Sequence, residues 1–176
     1  MTITRLLARP MLASIFVVGG INAIRNTEGH AVKAKKITDR IVPLAQRAVP
    51  AAPIPTDTTT LVRINAGAQI LAAAALATGR APRLSATVLA ASLVPTTLAG
   101  HPFWEETDPQ AKAMQRLQFT KNTAILGGLL LAGVDTEGKP GLAWRARRAA
   151  ADVRREAKQV AKDARREAKL ARAQLS

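Results

Sequence analysis

The sequence predicts an all-α membrane protein: a bundle of four transmembrane helices followed by a long, basic cytoplasmic helix. Three observations lead there. Apolar residues make up 48% of the chain but aromatics only 3%, so Ala, Leu, Val and Ile carry the hydrophobicity. Those residues gather into four long runs before residue 134 and form none beyond it. Formal net charge is +14, and the largest share of the excess lies in the C-terminal segment. A mean hydropathy of +0.04 hides this contrast by averaging two unlike regions.

A helix crosses about 30 Å of hydrocarbon with roughly 20 residues at about 1.5 Å each. The first run, 6–24, reaches that length and is interrupted only by Arg9. The second, 61–79, is uncharged from Ile64 to Gly79 and carries Arg63 near one end. The third, 82–100, belongs to the longest charge-free stretch, Leu84 to Trp104. The fourth, 117–134, contains Lys121. Arg9, Arg63 and Lys121 need their long side chains to reach the head groups. A soluble bundle would show charges every three or four residues on its outer faces. Gln69–Thr78, Ser85–Gly100 and Ala124–Val134 show none. Arg5 and Arg9 ahead of Met11–Ile24 have the pattern of a secretory signal, but no small-x-small cleavage motif follows, which favours a retained span.

The domain reading is therefore a membrane unit over 1–134, interrupted by a polar connection at 25–60, and a basic tail over 135–176. The connection opens with an amphipathic helix pattern from Ala31 to Gln46 and ends in the Pro-rich run Val49–Pro55, where helix is denied. Gly79-Arg80-Ala81-Pro82 reads as a tight turn, with Gly79 closing one helix and Pro82 opening the next. Four spans put both termini on one side, and the tail's Lys/Arg excess places that side in the cytoplasm.

The tail holds a near-exact eleven-residue repeat, Asp152–Lys162 followed by Asp163–Ala173. That length is close to three helical turns, so equivalent residues share a face. Ala, Lys, Arg and Glu all favour helix. Three roles stay open: a solvated helix; a surface helix bound to anionic lipid through Arg147, Arg148, Arg154, Arg155, Lys158, Arg165 and Arg166; and, ranked last, binding to nucleic acid or a partner helix.

Chemistry-bearing residues are few. The chain has no Cys, which excludes disulfides, thiolate catalysis and Cys-held metals. Its two histidines, His30 and His101, lack metal-ligand spacing, so no metal site and no catalytic residue is assigned. Polar groups in the spans are more informative, since each costs energy unless partnered. Arg63, Asn65 and Gln69 on the second span and Lys121 and Asn122 on the fourth would converge if those helices face each other. They would then act as helix–helix glue or as a ligand pocket. His101-Pro102-Phe103-Trp104-Glu105 is the densest local cluster, read as an interfacial anchor or, through His101, Phe103, Trp104 and Glu105, as a docking surface.

Three stretches together resemble the DoxX family of bacterial membrane proteins. They are Arg5-Leu-Leu-Ala-Arg-Pro-Met-Leu through Gly19-Gly20-Ile21-Asn22, then His101-Pro102-Phe103-Trp104, then Phe119-Thr-Lys-Asn-Thr-Ala-Ile-Leu-Gly-Gly-Leu-Leu-Leu131. The resemblance covers about 5–134 and implies a four-helix protein of the inner or plasma membrane. It also implies association with membrane oxidoreductase assemblies, including quinone-linked ones, or with oxidative-stress defence beside soluble redox proteins. The family supplies no catalytic motif to carry over, and without thiols or a haem site the chain would serve as a non-catalytic subunit or scaffold. The alternative is a tethering protein whose basic tail binds anionic lipid or nucleic acid.

Overall fold

The computed structural model describes residues 3–135 and 142–174. Among them are six α-helices and no strand: α1 Ile3–Arg25, α2 Thr27–Ala48, α3 Thr58–Ala77, α4 Pro82–Gly100, α5 Pro109–Val134 and α6 Leu142–Gln174. The chain divides into two compact units, Met1–Asp135 and Thr136–Ser176.

In the first unit, α1 packs on α3, α3 on α4, and α4 on α5, while a thinner seam joins α5 to α1. The four helices thus form a ring in which α3 and α5 are diagonal. The centre is small and Ala-rich: Leu76, Leu89 and Leu129 are fully buried among Ala13, Phe16, Ala73 and Ala86. Small side chains let helix axes come close, the usual packing device where lipid removes the hydrophobic drive for association. At Gly20 the approach is closest, because a Cβ there would lie 2.7 Å from Ile70 Cγ1 and 3.0 Å from the Ala66 carbonyl oxygen.

The outside is apolar too. Met11, Val18, Leu71 and Leu131 are exposed at 74%, 68%, 73% and 73%. Such faces suit hydrocarbon rather than water. By length and mean hydropathy, α1 and α3 are able to cross a membrane, with 22% and 28% of their apolar windows buried in the bundle. The four expected spans narrow to two on this test. Arg83 and the hydroxyl residues Ser85, Thr87, Ser92, Thr96 and Thr97 dilute α4, and Gln118, Lys121 and Asn122 dilute the apolar end of α5.

Local chemistry sets the helix ends. Asp57 caps α3 by accepting from Thr60 N and Thr60 Oγ1, both at 2.7 Å. These bonds, the hydroxyl's first, hold the Asp57 carboxyl below its ordinary range. Asp108 caps α5 by accepting from Ala111 N at 2.6 Å, so this helix starts eight residues before the expected 117. Gly79 takes φ 71° and Ala81 φ 47° in the turn that folds α4 back on α3. The connection at 25–60 is mainly the 22-residue helix α2, which contains the amphipathic pattern expected over Ala31–Gln46, extends it at both ends, tolerates Pro43 and lies against α3 and α4. A joint at Asn26 links it to α1, where Thr27 Oγ1 bonds the Ala23 and Ile24 carbonyls.

In the second unit, α6 is a continuous amphipathic helix of 33 residues. Arg148 and Arg155 each lie 3.8 Å from Asp152, and Arg148 sits 5.6 Å from the Trp144 ring centre. Pairs at these distances and exposures add little stability.

Candidate ligand site beneath α2

Amides placed in an apolar helix must find partners. On α3, Asn65 and Gln69 lie four residues apart and share a face. Both reach Ser92 on α4: Gln69 Nε2 donates to Ser92 Oγ at 2.7 Å, and Ser92 Oγ donates to Asn65 Oδ1 at 2.7 Å. On α5, Asn122 Nδ2 donates to Thr97 Oγ1 of α4 at 3.1 Å. The second and fourth spans, α3 and α5, are diagonal in the ring, and α4 takes a bond from each of them.

These groups border a cavity of about 510 Å³ between α2 and the bundle. The volume falls within the roughly 300–1,000 Å³ usual for small-molecule sites. Asn65 and Gln69 line it from α3, Thr96 from α4, Asn122 from α5 and His101 from the following loop. Apolar walls come from Ile37, Ile41 and Val42 of α2 and from Leu61 and Val62 of α3. His30, Lys33 and Thr38 of α2 add to its polar lining. Gln69 is buried, while Asn65 and Asn122 are half-buried. Arg63 and Lys121 are exposed and do not line the cavity.

The two imidazoles have defined partners. Asn26 Nδ2 donates to Asn22 Oδ1 at 2.8 Å, which fixes the Asn22 amide so that its Nδ2 donates to His30 Nε2 at 3.3 Å. His101 Nδ1 donates to Gln115 Oε1 at 2.7 Å. Among the described residues, no three His, Asp or Glu side chains are grouped to hold a metal ion.

Beside the cavity mouth, Phe103, Trp104 and Phe119 form an edge-to-face trio with ring centres 5.1, 5.3 and 5.9 Å apart. Lys36 of α2 pairs with Glu105. The hydrogen bond from Lys36 is the main cause that holds the Glu105 carboxyl below its ordinary range. Thr38 and Thr58 hydroxyls, 3.1 Å apart, make a second tie from α2. Trp104 and Glu105 also line a smaller cavity of about 320 Å³ with Lys36, Arg40 and Leu98. Phe103 faces its aromatic neighbours.

At the opposite end of the bundle, Arg5 grips Asp135 through Nε at 2.7 Å and Nη2 at 2.8 Å. Arg9, buried, approaches the same carboxylate at 3.8 Å, and Arg83 Nε donates to the Asp135 carbonyl at 2.7 Å. This clamp joins the starts of α1 and α4 to the end of α5.

Sequence reasoning missed Ser92, Thr97, His30 and Lys33 as part of this region. A hydroxyl inside an apolar helix was the available signal for the first two. For α2, it was the Ile37/Ile41 spacing on a basic helix.

The chain matches the family model described as DoxX over residues 4–102, more than half of its length. That range spans α1 to α4 and reaches Pro102, leaving Phe103, Trp104 and all of α5 beyond it. No curated protein and no solved structure matches the chain.

Proposed function

This chain is a membrane protein that belongs to the DoxX family, and from that premise we propose that it serves as a non-catalytic subunit or scaffold of a quinone-linked oxidoreductase or oxidative-stress assembly. In this reading α1, α3, α4 and α5 all cross the plasma membrane, both termini are cytoplasmic, and α2 lies at the outer surface over the cavity. The arginine clamp on Asp135 then sits at the cytoplasmic face.

The observation that carries the proposal is the polar-edged apolar cavity beneath α2. A quinone head group offers two carbonyl acceptors on a flat apolar ring. Asn65 Nδ2 makes no hydrogen bond among the described residues, because its amide is engaged only through Oδ1. It is free to donate to such a carbonyl, and the second proton of the Asn122 amide supplies another donor. Ile37, Ile41 and Leu61 would pack on the ring and tail. A bound quinone would supply two-electron, two-proton chemistry; the chain's own groups bind it, orient it and exclude water. The trio around Trp104 and the pair Lys36–Glu105 offer a rim for a redox partner.

Purification from native membranes, with the lipid extract assayed for quinone and co-purifying proteins identified, tests this. Quinone near one equivalent, reduced at least tenfold by Asn65→Leu, is expected. Recovery of phospholipid alone, with no redox protein, would remove the proposal.

A further inference from the structure

The 33-residue helix α6 stands outside this site, and its residues divide into sectors. At about 100° per residue, Ala149, Val153, Ala157 and Val160 fall on one arc. Arg147, Arg154 and Lys158 flank that arc on one side, and Asp152 and Glu156 flank it on the other. Val153 and Val160 are exposed at 64% and 68%. Alanine offers little area to a partner helix, so apolar contact alone would hold such a face weakly.

We infer that α6 is a peripheral membrane helix that lies on anionic lipid head groups of the bilayer that holds the rest of the chain. Charge complementarity selects this occupant. The cations border the apolar arc, where they can reach phosphate while the valines enter the head-group boundary. The acidic flank rolls away from the surface, so the basic flank sits deeper. The few residues between Val134 and Leu142 deliver the helix to the membrane by covalent connection. Each Lys or Arg near an anionic surface strengthens binding roughly fivefold, so three flanking cations account for about a hundredfold.

The absence of Cys makes the test clean. Full-length protein carrying Val153→Cys or Arg155→Cys is labelled with an environment-sensitive dye and placed in nanodiscs with or without phosphatidylglycerol. The dye at 153 is expected to shift to the blue and be quenched by head-group nitroxides only in the anionic discs; the dye at 155 stays in water. High salt or the triple variant Arg147→Glu/Arg154→Glu/Lys158→Glu abolishes the shift, and the matching Lys variants at 147 and 154 retain it. Equal emission in both bilayers overturns the inference. So does a shift that RNA produces in uncharged discs when anionic lipid does not.

Discussion

The approach of α1 to α3 at Gly20 gives a sharp expectation, because the adjacent Gly19 supplies an internal control. Both glycines lie inside α1, and replacing either with Ala gains about 0.5–1 kcal/mol of helix propensity. They differ in what the new methyl group meets. At Gly19 nothing lies within 4 Å, whereas at Gly20 the Cβ falls 2.7 Å from Ile70 Cγ1 and 3.0 Å from the Ala66 oxygen. Ordinary carbon contacts lie at about 3.5–4.0 Å, and the Ala66 oxygen is backbone, so α1 must move off α3. Such overpacking costs about 1–3 kcal/mol. Propensity cancels in the comparison, so Gly20→Ala should be less stable than Gly19→Ala by about 1–3 kcal/mol. Thermal unfolding in one lipid or detergent system, followed by circular dichroism, measures this. If Gly20→Ala equals or exceeds Gly19→Ala, the close α1–α3 packing is wrong.

Three further outcomes follow from particular contacts. Asp135→Asn should cost about 1.5–3 kcal/mol, the range for charged hydrogen bonds, read as a lower unfolding midpoint; an unchanged midpoint would mean the Arg5 grip is not formed. Ser92→Ala strands two amides on one face and should cost about 0.6–1.7 kcal/mol, the span for bonds between membrane helices; a stability-neutral result would break the Asn65–Ser92–Gln69 chain. Glu105 has a depressed pKa in the folded protein, so its tie to Lys36 is present above the ordinary carboxylate value of 4.5 and is lost as pH falls through the lowered one. Trp104 emission in a Trp144→Phe background should follow that titration, and Lys36→Ala should move its midpoint upward; a midpoint indifferent to Lys36 would show that the tie is absent.

Much of the helix pattern was legible because it depends on chain-local properties. Apolar runs gave α1 and α3, and the glycine–proline punctuation around Arg80 gave the α3–α4 hairpin. Resemblance in the N-terminal half matched the family over 4–102. The site was only partly legible. Asn65 and Gln69 declared themselves as amides in an apolar helix, but Ser92 looked like any small residue until α4 was seen between α3 and α5. Arg63 and Lys121 belonged to the same expected set on sequence grounds, yet snorkelling length lets such side chains stay exposed. The helical pattern of α2 was legible over Ala31–Gln46, but what it covers was not: its apolar face, Ile37 and Ile41, acquires meaning only with α3 and α4 beneath it. Asp135, beyond the last apolar run, gave no sign that it would receive three arginines.

Substituted-cysteine labelling in intact cells and in inverted membrane vesicles probes the membrane arrangement most directly, since every introduced thiol is unique. Thiols at Met11, Leu71 and Leu131 should resist a membrane-impermeant maleimide from both sides. One at Thr107 should react only from outside the cell, and one at Arg80 only from the cytoplasm. Free labelling of the Leu71 or Leu131 thiol, or access to positions 80 and 107 from the same side, would contradict a bundle that crosses the membrane with α2 and its cavity at the outer face.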